Sequence, residues 1–165
     1  MKQNKGFSLI EVLIVLALIG TITALAIWNT QSLYRLTVRA DIEKLYTTCL
    51  YLQQKALSCQ EKQTLYFALD KKTYRYENCA ERLNTQVLYG FIAGAKGPPS
   101  SPHVLITQEN SFENNQIVFY PDGVIQAGTL YLTDVNKRVL YALTSGVGQV
   151  SFLRKYYYDG SWHLL

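Results

Sequence analysis

The hydrophobic and polar residues follow three different patterns along the chain. Between residues 7 and 28 the chain is apolar except at five positions: Ser8, Glu11, Gly20, Thr21 and Thr23. At about 1.5 Å per residue, a helix over these 22 residues reaches about 33 Å. A helix of that length and apolar character is long enough to span a bilayer. The first pattern therefore predicts a membrane-spanning helix over residues 7–28.

The second pattern, over residues 29–60, has apolar residues at spacings of three and four with charged residues between them, which is typical of an amphipathic helix. The apolar positions are Leu33, Leu36, Ala40, Leu45, Cys49, Leu52, Ala56 and Cys59. No proline comes before Pro98, and no glycine lies between Gly20 and Gly90. We therefore predict one continuous helix from the membrane to about Cys59, with a sheet covering one face of its second half.

The third pattern, over residues 61–165, consists of short runs rich in β-branched and aromatic residues. The predicted strands are Thr64–Leu69, Thr73–Tyr76, Gln86–Ile92, Val104–Thr107, Gln116–Tyr120, Gly128–Thr133, Arg138–Thr144, Gln149–Leu153 and Tyr156–Leu164, the last broken at Asp159 and Gly160. Gly94–Pro102 reads as an exposed loop and Pro121–Gly123 as a turn. A long helix followed by antiparallel strands predicts an α+β fold, with residues 61–165 forming a β-rich globular domain.

Composition and charge agree with one small domain on a helical stalk. The chain has 165 residues, of which 13 are tyrosine, and a formal net charge of +4 to which Lys2 and Lys5 contribute. The roughly one hundred residues after the helix are enough for one hydrophobic core. So weak a basic excess is not by itself the footprint of a nucleic-acid-binding protein.

Glu11 is the exceptional residue of the apolar segment. A carboxylate near the centre of a spanning helix costs roughly 2.5 to 3.5 kcal/mol on insertion scales, so it marks a functional site that needs a partner. Before it stand Lys2, Lys5 and Gly6, and then Phe7. An ordinary secretory signal is cleaved after its apolar region, whereas a cut at Gly6 would leave the apolar helix on the mature protein. The alternative is an uncleaved signal anchor with a chance acid.

The segment KGFSLIEVLIVLALIG resembles the class III signal of type IV pilins and type II secretion pseudopilins. The resemblance implies a leader, residues 1–6, that prepilin peptidase removes between Gly6 and Phe7, with N-methylation of Phe7. It also implies that the new α-amino group of Phe7 meets the Glu11 carboxylate of a neighbouring subunit during assembly. The expected partners are other pilins or pseudopilins, the inner-membrane assembly platform and membrane lipid.

A second stretch, IVFYPDGVIQAGTLYLTD and then RVLYALTSGVGQV, is similar to the C-terminal pattern of H-type minor pseudopilins and FimT-type minor pilins. The matching positions are Phe119, Pro121, Asp122, Gly123, Gly128 and Gly148. The likeness implies a minor subunit near the tip of a pseudopilus or pilus. It places a single-pass protein in the bacterial inner membrane, with its C-terminal domain periplasmic or extracellular.

Little in the sequence indicates catalysis or a cofactor. His103 and His163 lie far apart, with no cysteine or carboxylate at ligand spacing, so we expect surface histidines and no metal site. Ser145 lacks the flanking glycines of a nucleophile elbow. A membrane-tethered enzyme therefore has no positive support, and the sequence favours a structural subunit without a cofactor.

The three cysteines, Cys49, Cys59 and Cys79, allow one disulfide outside the cytoplasm. On one helix Cys49 and Cys59 would be about 15 Å apart, beyond the roughly 7 Å Cα limit for a bridge. We expect a Cys59–Cys79 disulfide, because a hairpin can return Cys79 to the helix end, with Cys49 buried on the apolar stripe. The alternative is that all three thiols are reduced.

A second function, DNA uptake in natural transformation, would use the C-terminal tail. Arg154 and Lys155 could contact phosphates, and the aromatic residues after them could stack on bases. Those aromatic residues are Tyr156, Tyr157, Tyr158 and Trp162. Two adjacent basic residues make a small patch, and aromatic strand residues are usually core, so nucleic acid is possible but not favoured as a partner.

Overall fold

The computed structural model of the protein describes residues 8–146 and 151–165, without the side chains of residues 25–33. The leader and Phe7 lie outside the described residues, as do residues 147–150 with Gly148. The chain divides into two units, Met1–Leu33 and Tyr34–Leu165. Helix α1, Leu9–Cys59, runs through both, and the nine β-strands formed by the described residues belong to the second unit.

In the second unit, α1 buries one face made of residues three and four apart: Val38, Ile42, Leu45, Cys49, Leu52 and Ala56. The predicted stripe is right from Leu45 to Ala56 and wrong at Leu36, Ala40 and Cys59, whereas the side chain of Leu33 lies outside the described residues. Leu36 is 60% exposed, and Ala40 and Cys59 are also exposed. The step of five residues from Ala40 to Leu45 breaks the helical phase, whereas Ile42 keeps it.

The first sheet has four antiparallel strands in the order β3-β2-β1-β5. Its strands are β1 Gln63–Ala68, β2 Thr73–Tyr76, β3 Cys79–Arg82 and β5 Gln116–Phe119. The predicted β1–β2 hairpin is confirmed, with Leu65 opposite Tyr76 and Ala68 opposite Thr73. Strand β3 was not predicted, because its sequence Cys-Ala-Glu-Arg is poor in β-formers and only pairing with β2 makes it a strand.

The second sheet has five antiparallel strands in the order β4-β6-β7-β8-β9. Its strands are β4 Val87–Tyr89, β6 Gly128–Asp134, β7 Leu140–Gly146, β8 Phe152–Tyr158 and β9 Trp162–Leu164. The predicted strand at Val104–Thr107 is wrong, since this segment makes only an isolated bridge from Leu105 to Lys96. A short 3-10 helix, Glu113–Asn115, precedes β5.

Both sheets contribute to one core with the buried face of α1. Leu65, Phe67 and Tyr74 come from the first sheet, and Leu130, Leu132 and Leu143 come from the second. A smaller cluster contains Tyr131, Ala142 and Tyr156 together with Ala95 and Ile106 of the β4–β5 connection. The predicted α+β arrangement, with a helix packed on antiparallel sheets, is confirmed.

Polar contacts join the helix to the first sheet and to the connection that follows it. Lys44 Nζ lies 2.6 Å from Glu81 Oε2, and Lys55 Nζ lies 2.6 Å from Glu77 Oε1. The Asp41 carboxylate accepts a hydrogen bond of 2.7 Å from the backbone N–H of Asn84, between the two sheets. Burial nevertheless raises the pKa of Asp41, against the opposing effects of that N–H and of Lys44.

Candidate functional site

The beginning of helix α1 is the first candidate site. The carbonyl of Ser8 accepts hydrogen bonds from the backbone N–H groups of Glu11, at 3.0 Å, and Val12, at 3.3 Å. Glu11 therefore lies in the first turn, where the positive end of the helix dipole favours a carboxylate. Its predicted partner is the Phe7 α-amino group of a neighbouring subunit, and Phe7 lies outside the described residues, so the pairing stays a prediction.

The described residues of the first unit bury none of their apolar side chains. Residues 8–24 are all exposed, including Leu9 at 81% and Ile10 at 66%. The hydroxyls of Thr21 and Thr23 donate to backbone carbonyls one turn back, at 2.8 and 2.9 Å, so they need no water. A contiguous apolar surface of this kind indicates an interaction site.

Among the residues that the structure describes, no helical stretch is both long enough and apolar enough to qualify as a membrane span. The predicted span over residues 7–28 extends into residues whose side chains lie outside this description, and it stays a prediction.

The second candidate site is the C-terminal tail, where the sequence allowed a DNA contact without favouring it. Arg154 and Lys155 are consecutive residues in β8, so their side chains point to opposite faces of the sheet. Lys155 is only 13% exposed, with its Nζ 2.5 Å from Glu43 Oε2 and 4.5 Å from the ring centroid of Tyr46. Arg154 is exposed and stacks at 4.3 Å over Phe152. The two basic residues therefore cannot form one phosphate-binding patch.

The aromatic residues of the tail serve packing. Trp162 contacts Tyr158 at a centroid distance of 5.0 Å, and its indole N–H donates to the Lys96 carbonyl at 2.8 Å. Tyr156 is buried in the smaller cluster. Tyr157 lies on the opposite face, 5.2 Å from Tyr141. These contacts leave no row of free rings for stacking on bases.

The structure does not contain the predicted Cys59–Cys79 disulfide. All three are free thiols, with Cys49 buried and Cys59 and Cys79 exposed. The Lys55–Glu77 ion pair holds the β2–β3 turn near the end of α1, as the predicted disulfide requires. Cys79, however, is the first residue of β3 and pairs with Tyr76 of β2. The predicted burial of Cys49 is confirmed, and burial raises the pKa of its thiol.

The histidines are exposed, as predicted. His163 Nε2 lies 2.9 Å from Asp159 Oδ1 and 3.0 Å from Ser161 Oγ. A Ser-His-Asp triad uses both ring nitrogens, one for the serine and the other for the carboxylate, so this exposed group is a turn contact. No group of histidine, cysteine and carboxylate side chains with metal-site geometry occurs among the described residues.

Comparison with protein families adds one match. The family model of the prokaryotic N-terminal methylation motif matches residues 1–27. The motif supports the type IV pilin and pseudopilin class. No curated protein and no solved structure matches the chain.

The pilin-type motif supports several general points. It indicates a structural subunit rather than an enzyme, as the sequence predicted. It implies processing by prepilin peptidase and assembly with other pilins, and it indicates a membrane-anchored subunit of a pilus or pseudopilus.

Sequence reasoning missed the contacts of Glu43, Glu77 and Glu81 with lysines far away in the chain, because no local sequence pattern indicates them.

Proposed function

We propose that the protein is a minor pilin or pseudopilin that enters a type IV pilus or a type II secretion pseudopilus near its tip. Prepilin peptidase cleaves it between Gly6 and Phe7, and the new N-terminus is methylated. The supporting observation is the exposed apolar helix with Glu11 in its first turn, within the segment that carries the methylation motif.

The minor-subunit part of the proposal is supported by the segment around β5 and β6. Gly123 has a φ of +86° in the turn after Phe119, which glycine adopts without strain. At Gly128 a Cβ atom would lie 2.3 Å from the ring of Phe112. The local structure therefore favours glycine at both positions, and both positions are glycine in the H-type and FimT-type pattern.

The anchoring part of the proposal is a single pass through the bacterial inner membrane by residues 7–28, with the globular domain in the periplasm or outside the cell. Before assembly, lipid would cover the exposed apolar residues of the helix, and afterwards the helices of neighbouring subunits would. DNA uptake through the tail is not proposed, because Lys155 and the aromatic residues are engaged within the domain.

Mass analysis of the mature N-terminus tests the processing step. We expect co-expression with a prepilin peptidase to produce a chain that begins at N-methylated Phe7, and Gly6→Leu to block that cleavage. Gly20→Leu is a matched control in the same apolar segment and should leave cleavage unchanged, because a Cβ atom at Gly20 would meet no atom of the described residues within 4 Å apart from the helix's own backbone. An intact Met1 end in the presence of active peptidase contradicts the proposal.

A further inference from the structure

The first sheet separates its charges between its two faces. Side chains alternate along a strand, and Glu81 on β3 turns toward α1 to pair with Lys44, while Glu77 in the β2–β3 turn pairs with Lys55. Both acidic residues of this hairpin are thereby neutralised by helix lysines. They are not available to balance the basic residues of the same strands.

The outer face of the sheet carries those basic residues. Arg75 and Arg82 are exposed, and no ion pair joins either of them to a carboxylate of the described residues. Arg75 lies opposite Ala80, two residues from Arg82, so the two arginines are diagonal neighbours, a relation that brings residues to about 7–8 Å of one another. Lys71 is exposed in the adjacent turn.

A cavity lies beside Arg75 at the β2–β3 turn. Its volume is about 340 Å³, and its lining includes Tyr66, Arg75 and Glu77, whose carboxylate is paired with Lys55. Tyr66 lies directly across from Arg75 on β1 and is 47% exposed. Arginine and tyrosine next to a pocket are the residue types that contribute most to binding energy in protein interfaces.

We propose that this surface, made of Tyr66, Lys71, Arg75 and Arg82, binds an acidic segment of a partner polypeptide that carries at least two carboxylates. Each arginine presents a planar fork that matches a carboxylate, and the cavity accommodates a side chain next to one of them. That the partner is a neighbouring filament subunit rests on the proposed function, whereas the recognition of carboxylates does not.

Nucleic acid fits this surface less well than an acidic polypeptide. Strong backbone binders typically contact about 6–10 phosphates, whereas this surface offers three basic side chains on a chain of net charge +4. A single half-exposed ring is also a short platform for base stacking. Two neighbouring guanidinium groups, one of them beside a cavity, suit a few carboxylates at defined positions.

Fluorescence anisotropy with the full chain in nonionic detergent micelles tests the proposal. The probes are a fluorescein-labelled peptide of alternating Glu and Thr, the same peptide with Gln for Glu, and single-stranded oligothymidylate. We expect the Glu peptide to bind with an affinity that falls as salt rises, and the other two probes to bind more weakly. Arg75→Gln with Arg82→Gln should weaken Glu-peptide binding by about tenfold or more.

The matched control is Lys137→Gln with Arg138→Gln, which removes the same charge from an exposed turn of the second sheet and should keep the affinity of the parent chain. If the arginine double variant does not fold, Arg75→Lys with Arg82→Lys replaces it. This variant keeps the positive charge but loses the planar guanidinium groups, so its affinity for the Glu peptide should fall by about threefold or more. Equal losses in the control and the arginine variant, or tighter binding of oligothymidylate, would overturn the proposal.

Filament recovery separates this proposal from the proposed function. If the chain is absent from sheared filaments but binds the Glu peptide through the two arginines, the filament role fails and the binding surface stands. If the chain enters filaments normally and Arg75→Gln with Arg82→Gln leaves peptide binding unchanged, the binding surface fails and the filament role stands.

Discussion

Arg154 and Lys155 are neighbours in sequence but have different environments at the scale of single residues. Arg154 is exposed beside Phe152, whereas Lys155 extends beneath the sheet to Glu43 and the ring of Tyr46. A partly buried ion pair leaves an uncompensated charge when one partner is removed. The aliphatic stem of a lysine also packs against apolar surface.

We expect Lys155→Ala to lower the free energy of unfolding by about 1–2 kcal/mol, because it removes both the packed stem and the partner of the 40%-exposed Glu43 side chain. Lys155→Met, which keeps the stem, should lose less. Arg154→Ala is the control and should stay within about 0.5 kcal/mol. Urea unfolding of the three variants measures this. A larger loss for Arg154→Ala than for Lys155→Ala would refute the assignment.

The cysteines differ at the same scale by their exposure. Cys59 and Cys79 are exposed, and Cys49 is buried with a raised pKa, so its reactive thiolate is scarce in the folded protein. We expect thiol titration under reducing-agent-free conditions to find two reactive thiols in the native protein and a third after unfolding. A single reactive thiol after unfolding would instead establish a disulfide.

At the scale of elements, the β5–β6 segment depends on one close contact between a glycine and an aromatic ring. Strand β6 begins at Gly128, whose missing side chain makes room for Phe112. The ring of Phe112 is itself buried in the core between the helix and the sheets. The start of β6 and the connection before β5 therefore fit together only with a residue that lacks Cβ.

Gly128→Ala should destabilise the fold by about 1–3 kcal/mol, since a methyl group in an already packed core forces its neighbours to shift. Adding Phe112→Leu should make the glycine substitution cost less than it does alone, because the smaller side chain vacates the space. A double-mutant cycle from thermal or urea unfolding measures the coupling between the two positions. Additive effects would show that Phe112 is not what restricts this site.

The elements also differ in how well local patterns predict them. The β1–β2 hairpin and the helix face from Leu45 to Ala56 agree with the sequence because burial imposes a period of two or of 3.6 residues on them. Strand β3 does not, since its pairing with β2 outweighs its composition. The predicted gap between Leu153 and Tyr156 is wrong, because Arg154 and Lys155 both pair with β7 and make β8 continuous.

At the scale of the whole molecule, the two units have different requirements. The second unit has its own core between α1 and two sheets, whereas the described side chains of the first unit are all exposed. The first unit therefore depends on lipid or other subunits for burial, and a substitution in it should affect assembly without affecting the globular core.

Glu11→Val tests that separation. We expect membrane insertion to be intact or improved, because a costly carboxylate is removed, and incorporation into filaments to fall strongly, because the neighbour's N-terminal ammonium loses its partner. Unfolding of the globular unit should match the parent chain within about 0.5 kcal/mol. Quantification in sheared filaments, with Val12→Leu as control, is the measurement. Normal incorporation of Glu11→Val would exclude the pairing.

The sequence by itself determined the N-terminal motif, the long helix and the α+β class, because these depend on residues close together in the chain. Only the tertiary structure decided which charges are free. Glu43 neutralises Lys155 across the molecule, and Lys44 and Lys55 neutralise the acids of the β2–β3 hairpin. The candidate binding surface is therefore the outer face of the first sheet and not the pair of Arg154 and Lys155. The physical reason is that charge pairing depends on distance in space, and helix and strand packing sets those distances.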